Sequence, residues 1–340
     1  MTYVTEETKA AVKAETRPAA RANVLTGLLG RGAEIRILVV ALVLCAYFET
    51  ANHDFLLTSA SLENLSQFIA PVAIIGFGEI MLMIGGEIDL SAGMVFAFAP
   101  FIMYFAHDAG APVWLALIAG LAAASVVGFI NGAVTVFLRI PSFVTTLGTL
   151  FFVNGVTLTI SRGTPVSPPG DAGFAAFMGG WGYSEIIWCI SIVVIMHVVL
   201  RHTRWGLHTI AAGANQLGAS EAGIQVRRLK LGNFVLAAFL AGLTGILEGF
   251  RITSIDPQAG GNQIMFLAVA AAVIGGTPLA GGSGTMIGGL IGAAVLGILN
   301  DGFTLIGINA FTFNMILGAA ILAAMIFNIH SVRLSRKGGR

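Results

Sequence analysis

Charged residues are scarce in this chain: Asp, Glu, Lys and Arg make up 10% of its 340 residues, against about 25% in a soluble domain. So few charges cannot cover a water-facing surface, which excludes an ordinary soluble protein. Hydrophobic residues make up 56%, so lipid must be the solvent for most of the chain. The net charge of +1 says little about partners, and the placement of the charges matters more.

Cysteine is rare as well. The chain has two, Cys45 and Cys189, and both fall inside apolar runs. Neither has a second cysteine or a histidine at metal-ligand spacing, so we interpret them as small buried hydrophobic side chains. Neither a disulfide nor a metal site is expected.

Motifs of catalysis are also absent. The chain contains no Walker A pattern, no H-E-x-x-H helix and no G-x-S-x-G elbow. It therefore has no evident way to bind the phosphates of ATP and no nucleophile paired with a base. We expect a protein that is not an enzyme, carries no cofactor and binds no nucleic acid, and any ATP energy must come from another polypeptide.

Long apolar runs are what the chain has in abundance. A membrane-spanning helix needs about 20 mostly apolar residues. We predict an all-α polytopic membrane protein with ten spans in a bilayer, the eighth and ninth of them short. The predicted spans are 34–51, 65–84, 91–106, 113–137, 143–160, 183–200, 231–250, 262–274, 285–300 and 310–329.

The two ends of the chain are polar. Residues 1–33 lack the apolar core of a signal peptide, so we expect a mobile cytoplasmic tail, then a membrane domain at 34–330 and a basic cytoplasmic tail at 331–340. With both termini in the cytoplasm, all of the 18 Lys and Arg residues except Arg162 and Arg251 lie on the cytoplasmic side. The positive-inside rule predicts this skew, and it requires an even number of spans.

One long basic break, 201–230, separates two strongly apolar regions. Its centre is rich in small residues, which is typical of a short helix lying flat at a membrane surface. A simpler interpretation is a cytoplasmic loop whose cations only fix the topology. Its five cations are Arg201, Arg204, Arg227, Arg228 and Lys230.

Two glycine-rich turns, 85–93 and 275–284, separate predicted spans, and both begin Ile-Gly-Gly. The shared start hints at an internal duplication. In the first turn, Asp89 and Ser91 can accept hydrogen bonds from the free N–H groups that open the third helix. Irregular backbone at membrane depth is tolerated only where protein packs around it or where it lines a wet cavity.

Ionisable residues inside apolar runs are few: Glu79, His197 and Glu248. A charge inside a membrane costs several kcal/mol unless it is hydrated or paired, so each points to a polar interior. His197 lies near the cytoplasmic end of its span, and Glu248 can pair with Arg251. The predicted translocation-path residues are Glu79, Asp89, Ser91 and Asn131.

Three segments of the chain resemble the permease subunits of ribose/xylose-type sugar ABC importers. They are residues 85–93 (GGEIDLSAG), 140–149 (IPSFVTTLGT) and 273–284 (VIGGTPLAGGSG). Their order and spacing agree with that family over roughly residues 55–327. The family usually reads Gly-Gly-Ile-Asp-Leu-Ser in the first segment, and here Glu87 replaces the second glycine.

The resemblance implies a permease of the bacterial inner membrane that imports a monosaccharide or sugar alcohol. It also implies a fold similar to the ten-helix vitamin B12-type permeases, a homodimer around a central path, an outer sugar-binding protein and a cytoplasmic ATPase that binds ATP and Mg²⁺. In that family the loop between the sixth and seventh spans carries the coupling helix. The matching coupling residues are Gly213, Asn215, Ala219, Glu221, Gly223 and Ile224.

Other classes of membrane protein remain open at this point. A passive channel or facilitator for small neutral solutes suits the glycine-rich packing and the few buried charges equally well. A proton- or sodium-driven transporter would need membrane-embedded carboxylate pairs, which are hard to find here. A purely structural scaffold gives no reason for the specific turn motifs.

Overall fold

The computed structural model describes residues 32–51, 55 and 58–309, with isolated positions between 312 and 322. The two predicted tails and the predicted tenth span lie almost wholly outside these residues. Within them, an isolated bridge between Val166 and Ile255 is the only β-pairing, and the rest of the regular structure is helical. The α-helices are α1 Gly32–Ala51, α2 Ser59–Ile84, α3 Ala92–Asp108, α4 Val113–Phe137, α5 Ser142–Ser161, α6 Ala172–Ala175, α7 Ser184–His202, α8 Arg204–Ala214, α9 Gln216–Glu221, α10 Val226–Arg251, α11 Gly261–Ile274 and α12 Met286–Leu305.

Six of these helices, α2, α4, α5, α7, α10 and α12, are long and apolar enough to cross a membrane. Two shorter apolar helices, α3 and α11, occupy the third and eighth predicted spans. A polytopic α-helical membrane protein is therefore confirmed. The number ten and the likeness to the vitamin B12-type permeases stay predictions.

Short connections make consecutive long helices antiparallel, which gives the bundle two distinct ends. One end, called here the loop end, carries both glycine-rich turns and the segment 203–225 between α7 and α10. The other end, called the opposite end, carries the segment 162–183 and the turn after α10, which Val166 and Ile255 join by backbone hydrogen bonds of 3.0 and 2.7 Å.

Helices α2 and α10, of 26 residues each, form the centre of the bundle. Helix α10 packs against α2, α3 and α4, and α2 also contacts α7, α11 and α12. Glycines permit these close crossings: a Cβ at Gly128 or Gly245 would collide with the carbonyl oxygen of Phe234 or Phe96 on the facing helix. Small residues thus let the helix backbones approach closely at these crossings.

The outer surface of the bundle is apolar on several helices. Large hydrophobic side chains stand exposed along α4, α5 and α7, among them Trp114, Phe152 and Ile195. A protein dissolved in water rarely exposes contiguous patches of this kind, so this surface suits lipid or another protein in the membrane. Among the described helices, α5 packs mainly on α3 and α4, which leaves much of its surface open.

Candidate functional site

The basic loop folds into two short helices rather than one. Thr203 caps α8 by accepting a hydrogen bond from the Gly206 N–H (3.4 Å). Asn215 has extended backbone (φ −155°, ψ 97°) and caps α9 through its Oδ1, which accepts from the Gly218 N–H at 3.0 Å. The predicted coupling segment 213–224 therefore contains a helix boundary at Asn215, because this side chain satisfies the start of a new helix.

Helix α9 ends in a Schellman motif. The Ile224 N–H donates to the Ala219 carbonyl and the Gly223 N–H to the Ser220 carbonyl, both at 3.0 Å, and Gly223 has a φ of +84°. This is the pair of bonds that a left-handed residue after a helix makes possible. Ala219 is buried in a small cluster with Ala212 and Val226, and Ile224 packs against it. The end of α9 is thus fixed, while Glu221 and Gly223 remain exposed.

Gly213, at the end of α8, sits at a junction with both glycine-rich turns. A Cβ at this position would collide with the Ile84 carbonyl oxygen and would lie 2.8 Å from the Gly282 backbone nitrogen. The Gly282 N–H itself donates to the Ile84 carbonyl at 2.9 Å. The loop between α7 and α10 is therefore in backbone contact with the ends of α2 and α11–α12.

The two glycine-rich turns have the same geometry where their helices end. The Glu87 and Thr277 N–H groups donate to carbonyls five residues earlier, both at 2.9 Å. Gly86 and Gly276 take the left-handed conformation, with φ of +76° and +91°. The position that needs positive φ in the first turn is thus Gly86, and Glu87 is not among the residues with positive φ. This explains why a side chain is tolerated at position 87.

Glu87 makes an ion pair with Lys230 at the start of α10. The Lys230 Nζ lies 2.6 Å from Glu87 Oε1, and both side chains are 13% exposed. The same ammonium donates to Gln216 Oε1 on α9 at 3.2 Å. Lys230 therefore joins the first glycine-rich turn to the predicted coupling helix.

Three of the four predicted path residues form one buried network. Asp89 Oδ1 accepts from the Ser91 N–H (2.8 Å) and from the Ser91 hydroxyl (2.6 Å). The Asn131 amide on α4 donates to Ser91 Oγ at 2.9 Å and approaches both Asp89 oxygens at 3.3 Å. Thr149 on α5 donates to Asn131 Oδ1 at 2.6 Å. The network ties the first turn to α4 and α5.

Glu79 joins this network through its Oε2, which accepts from the Asp89 N–H at 3.3 Å, and its Oε1 has no partner in the described chain. All four residues have 0% exposed surface. Asp89 accepts a hydrogen bond from the Ser91 N–H, as predicted. The Ser91 side chain, for which the same role was predicted, makes no helix-capping hydrogen bond. The arrangement stabilises the turn, and a path along these residues stays a prediction.

At the opposite end, the predicted pair of Glu248 with Arg251 is confirmed. Arg251 also donates to Gln67 Oε1 on α2 at 3.0 Å, and its Nε lies 3.3 Å from Glu185 Oε2 on α7. One guanidinium thus joins three helices. His197 is partly buried near the loop end, with its Nδ1 unpartnered among the described residues.

Comparisons with known proteins find permeases that match most of the chain. A family model described as the permease component of a branched-chain amino acid transport system matches residues 61–325. The xylose/arabinose import permease protein of Sulfolobus acidocaldarius is 35% identical over 314 residues, which cover 89% of this chain and 87% of that relative. The chain belongs to the family of ribose- and xylose-type ABC permeases.

Other members of this permease family are similar over the same extent. The ribose import permease proteins of Escherichia coli and Bacillus subtilis are each 32% identical, over 86% and 87% of this chain and 92% and 90% of theirs. No solved structure matches the chain significantly. As an ABC permease the protein is a transport subunit rather than an enzyme, and its family and spanning helices place it in the bacterial inner membrane.

Several features of this permease were not found by sequence reasoning. Leu217 on α9 is 71% exposed, and no pattern around it had marked it as a contact residue. The Lys230 contacts with Glu87 and Gln216 join residues 143 and 14 positions apart, and only the first turn's unusual glutamate hinted at them. A polar cavity at the opposite end was also missed, because its polar side chains come from four separate helices.

Proposed function

We propose that this chain is the gate of an ATP-driven importer for a monosaccharide or sugar alcohol. Two copies form the path, a separate cytoplasmic ATPase supplies the energy with ATP and Mg²⁺, and an outer binding protein delivers the solute. The names of its relatives, which import xylose, arabinose or ribose, support a sugar of this size. The absence of a phosphate-binding motif in the sequence supports a separate ATPase.

The observation that carries the coupling proposal is the junction at Gly213. Backbone atoms of α8, of the end of α2 and of the second glycine-rich turn meet there without intervening side chains. Closely packed backbone segments move together as a rigid unit. A displacement of the loop by the ATPase therefore also displaces these helix ends. A contact of this kind gives an ATPase a direct mechanical connection to four spans: α2, α3, α11 and α12.

Leu217 gives that ATPase an anchor. It is a large apolar side chain, 71% exposed, on a short helix whose two ends are fixed by Asn215 and the Gly223 motif. An exposed apolar residue on a rigid helix suits insertion into a groove of a partner. Arg227 and Arg228 are exposed nearby and suit a partner with acidic residues at the groove edge.

Helix α5 offers a face for the second copy. Gly148 and Gly155 are exposed two turns apart, and a Cβ at either would meet nothing within 4 Å. Small residues on one helix face allow close approach of another helix in a membrane. Phe151 and Phe152, beside them, are 67% and 72% exposed and add a large apolar surface for association.

The decisive experiment is uptake into proteoliposomes that hold the permease, its ATPase and its binding protein. D-xylose, L-arabinose and D-ribose are offered with ATP inside the vesicles or with ADP. We expect uptake against a gradient with ATP and binding protein present, and none when either is omitted. Equal uptake with ADP and without the binding protein would mean a passive facilitator instead.

A further inference from the structure

The opposite end of the bundle holds an open cavity of about 380 Å³. Helices α2, α10, α11 and α12 contribute most of its wall, at the end of the bundle away from the coupling loop. This volume lies within the range of small-molecule sites, about 300–1,000 Å³. The polar side chains of the wall are carboxylates, amides and one guanidinium, from Asn64, Gln67, Glu248, Arg251, Gln263, Asn300 and Asp301.

One carboxylate oxygen of this wall lacks a partner within the described part of the chain, and one backbone carbonyl lacks its helical donor. Asp301 Oδ2 is buried without a hydrogen bond. Pro71 lies inside α2 and has no N–H, so the Gln67 carbonyl loses its helical donor. Unsatisfied polar groups in a membrane protein are costly unless they face water or a polar ligand. Asp301 Oδ2 is therefore available to accept from a hydroxyl group of a ligand.

Other polar groups of the wall are held in place. Arg251 is fixed by Glu248, Gln67 and Glu185, and Gln67 Nε2 donates to Glu63 at 3.1 Å. A site whose side chains are already fixed loses little freedom when a ligand binds. Two carboxylates share one guanidinium, and Asp301 adds another acid, so the wall repels anions.

The remainder of the wall is apolar. Phe68, Phe96 and Leu267 line the cavity beside the polar groups. A monosaccharide has this double character, since its hydroxyls need donors and acceptors while its C–H faces pack against apolar and aromatic side chains. A phosphorylated sugar would meet the acidic wall unfavourably.

We infer that this cavity binds a neutral polyol of monosaccharide size as the first site within the permease. The inference rests on the proposed function, and it adds where in the chain the solute is held and by which groups. It places recognition at the far end of α10, whose other end begins in the coupling loop. One of the two wall carboxylates, Glu248, is already paired with Arg251, which leaves Asp301 as the carboxylate that can accept from the solute.

The test is protection of a cysteine at position 263 from a thiol reagent. In a Cys45→Ser, Cys189→Ala background, Gln263→Cys is placed in the full-length permease in nanodiscs and labelled with a membrane-impermeant methanethiosulfonate. D-xylose, L-arabinose and D-ribose are added in turn, and leucine serves as the comparison solute. We expect the transported sugar to slow labelling about tenfold at ten times its dissociation constant, and leucine to have no effect.

Asn262→Cys is the matched control, because Asn262 is the exposed preceding residue and does not line the cavity. Protection at 263 alone supports the site. Equal protection at 262 and 263, protection by leucine, or no protection by a sugar that the complete transporter imports would each overturn it.

A second measurement keeps the two proposals apart. In the complete transporter, Gln263→Leu should lower sugar uptake about fivefold by loss of one hydrogen bond, while Asn262→Leu leaves it unchanged at equal membrane levels. Wild-type vesicles that import no sugar would refute the proposed function. Wild-type import with unaffected Gln263→Leu uptake would refute the cavity site alone.

Discussion

At the scale of single residues, the pair of Glu87 with Lys230 distinguishes this permease from the usual pattern of its family. A glutamate side chain is possible there because the strained conformation falls on Gly86. Once present, the carboxylate reaches the ammonium that also holds Gln216. One substitution thus adds a polar link between the first glycine-rich turn and helix α9.

Replacing one member of this pair should lower the free energy of unfolding more than replacing both. We expect Glu87→Gly to lower the free energy of unfolding by about 1–3 kcal/mol, because Lys230 is left mostly buried without its partner. The double variant Glu87→Gly, Lys230→Met should recover part of that loss. Thermal unfolding in detergent measures the effect, with exposed Arg228→Met as the control. Strictly additive losses would mean that the pair has no coupling energy.

Asp89, Ser91 and Asn131 illustrate what sequence reasoning can reach at this scale. Their residue types and the glycine-rich context marked them as unusual inside apolar runs. Their convergence into one network depends on how α4 crosses the first turn, over a separation of 42 residues between Asn131 and Asp89. Contacts between residues so far apart in the chain depend on how the helices pack. The local sequence around each residue does not predict that packing.

At the scale of elements, helix bounds followed the sequence closely where apolar runs end in strong signals. Helix α4 matches its predicted span at both ends, with Pro112 directly before it and Pro141 directly before the next helix. Helix α10 begins at Val226, five residues before the predicted Leu231. Arg and Lys are good helix formers, so the helix extends into the basic loop although the apolar run does not.

Gly213 provides a sharp prediction for the coupling loop. Gly213→Ala should reduce ATP-driven transport strongly, because the added methyl group collides with the Ile84 carbonyl and separates α8 from the end of α2. The control is Gly173→Ala on α6 at the opposite end, where a Cβ would lie 3.4 Å from its nearest neighbour, an ordinary contact. Uptake per mole of ATP hydrolysed is the measurement. Full coupling in Gly213→Ala would show that the junction transmits no motion.

Variants at Leu217 and Gly223 test two properties of α9 separately: its contact with the ATPase and the stability of its C-terminal end. We expect Leu217→Ala to weaken binding of the ATPase by roughly 1–3 kcal/mol, since an exposed anchor is lost without change in the fold. Gly223→Ala should lower the free energy of unfolding by about 1 kcal/mol, because the backbone φ of +84° at this position is unfavourable for a residue with a Cβ. Affinity by surface plasmon resonance and thermal unfolding distinguish the two. A Leu217→Ala permease that binds the ATPase normally would remove Leu217 as anchor.

At the scale of the whole molecule, the two proposed sites lie at opposite ends of the bundle. The loop end holds the backbone junction and the exposed α9, and the opposite end holds the polar cavity. Helix α10 runs between them for 26 residues, from Val226 beside α9 to Arg251 in the cavity wall. A movement of the loop can therefore change the cavity through one continuous buried element.

Assembly of two permeases provides the remaining prediction. The α5 face with Gly148 and Gly155 is open in the single chain, so Gly155→Trp should leave each copy folded but prevent close approach of a second. The matched control is Val194→Trp on α7, where the side chain is 58% exposed on another face. We expect light scattering in detergent to give the mass of one chain for Gly155→Trp and of two for the control. Because a gate between two copies needs both, ATP-driven uptake should disappear with the dimer, and a Gly155→Trp protein that remains dimeric and active would place the axis elsewhere.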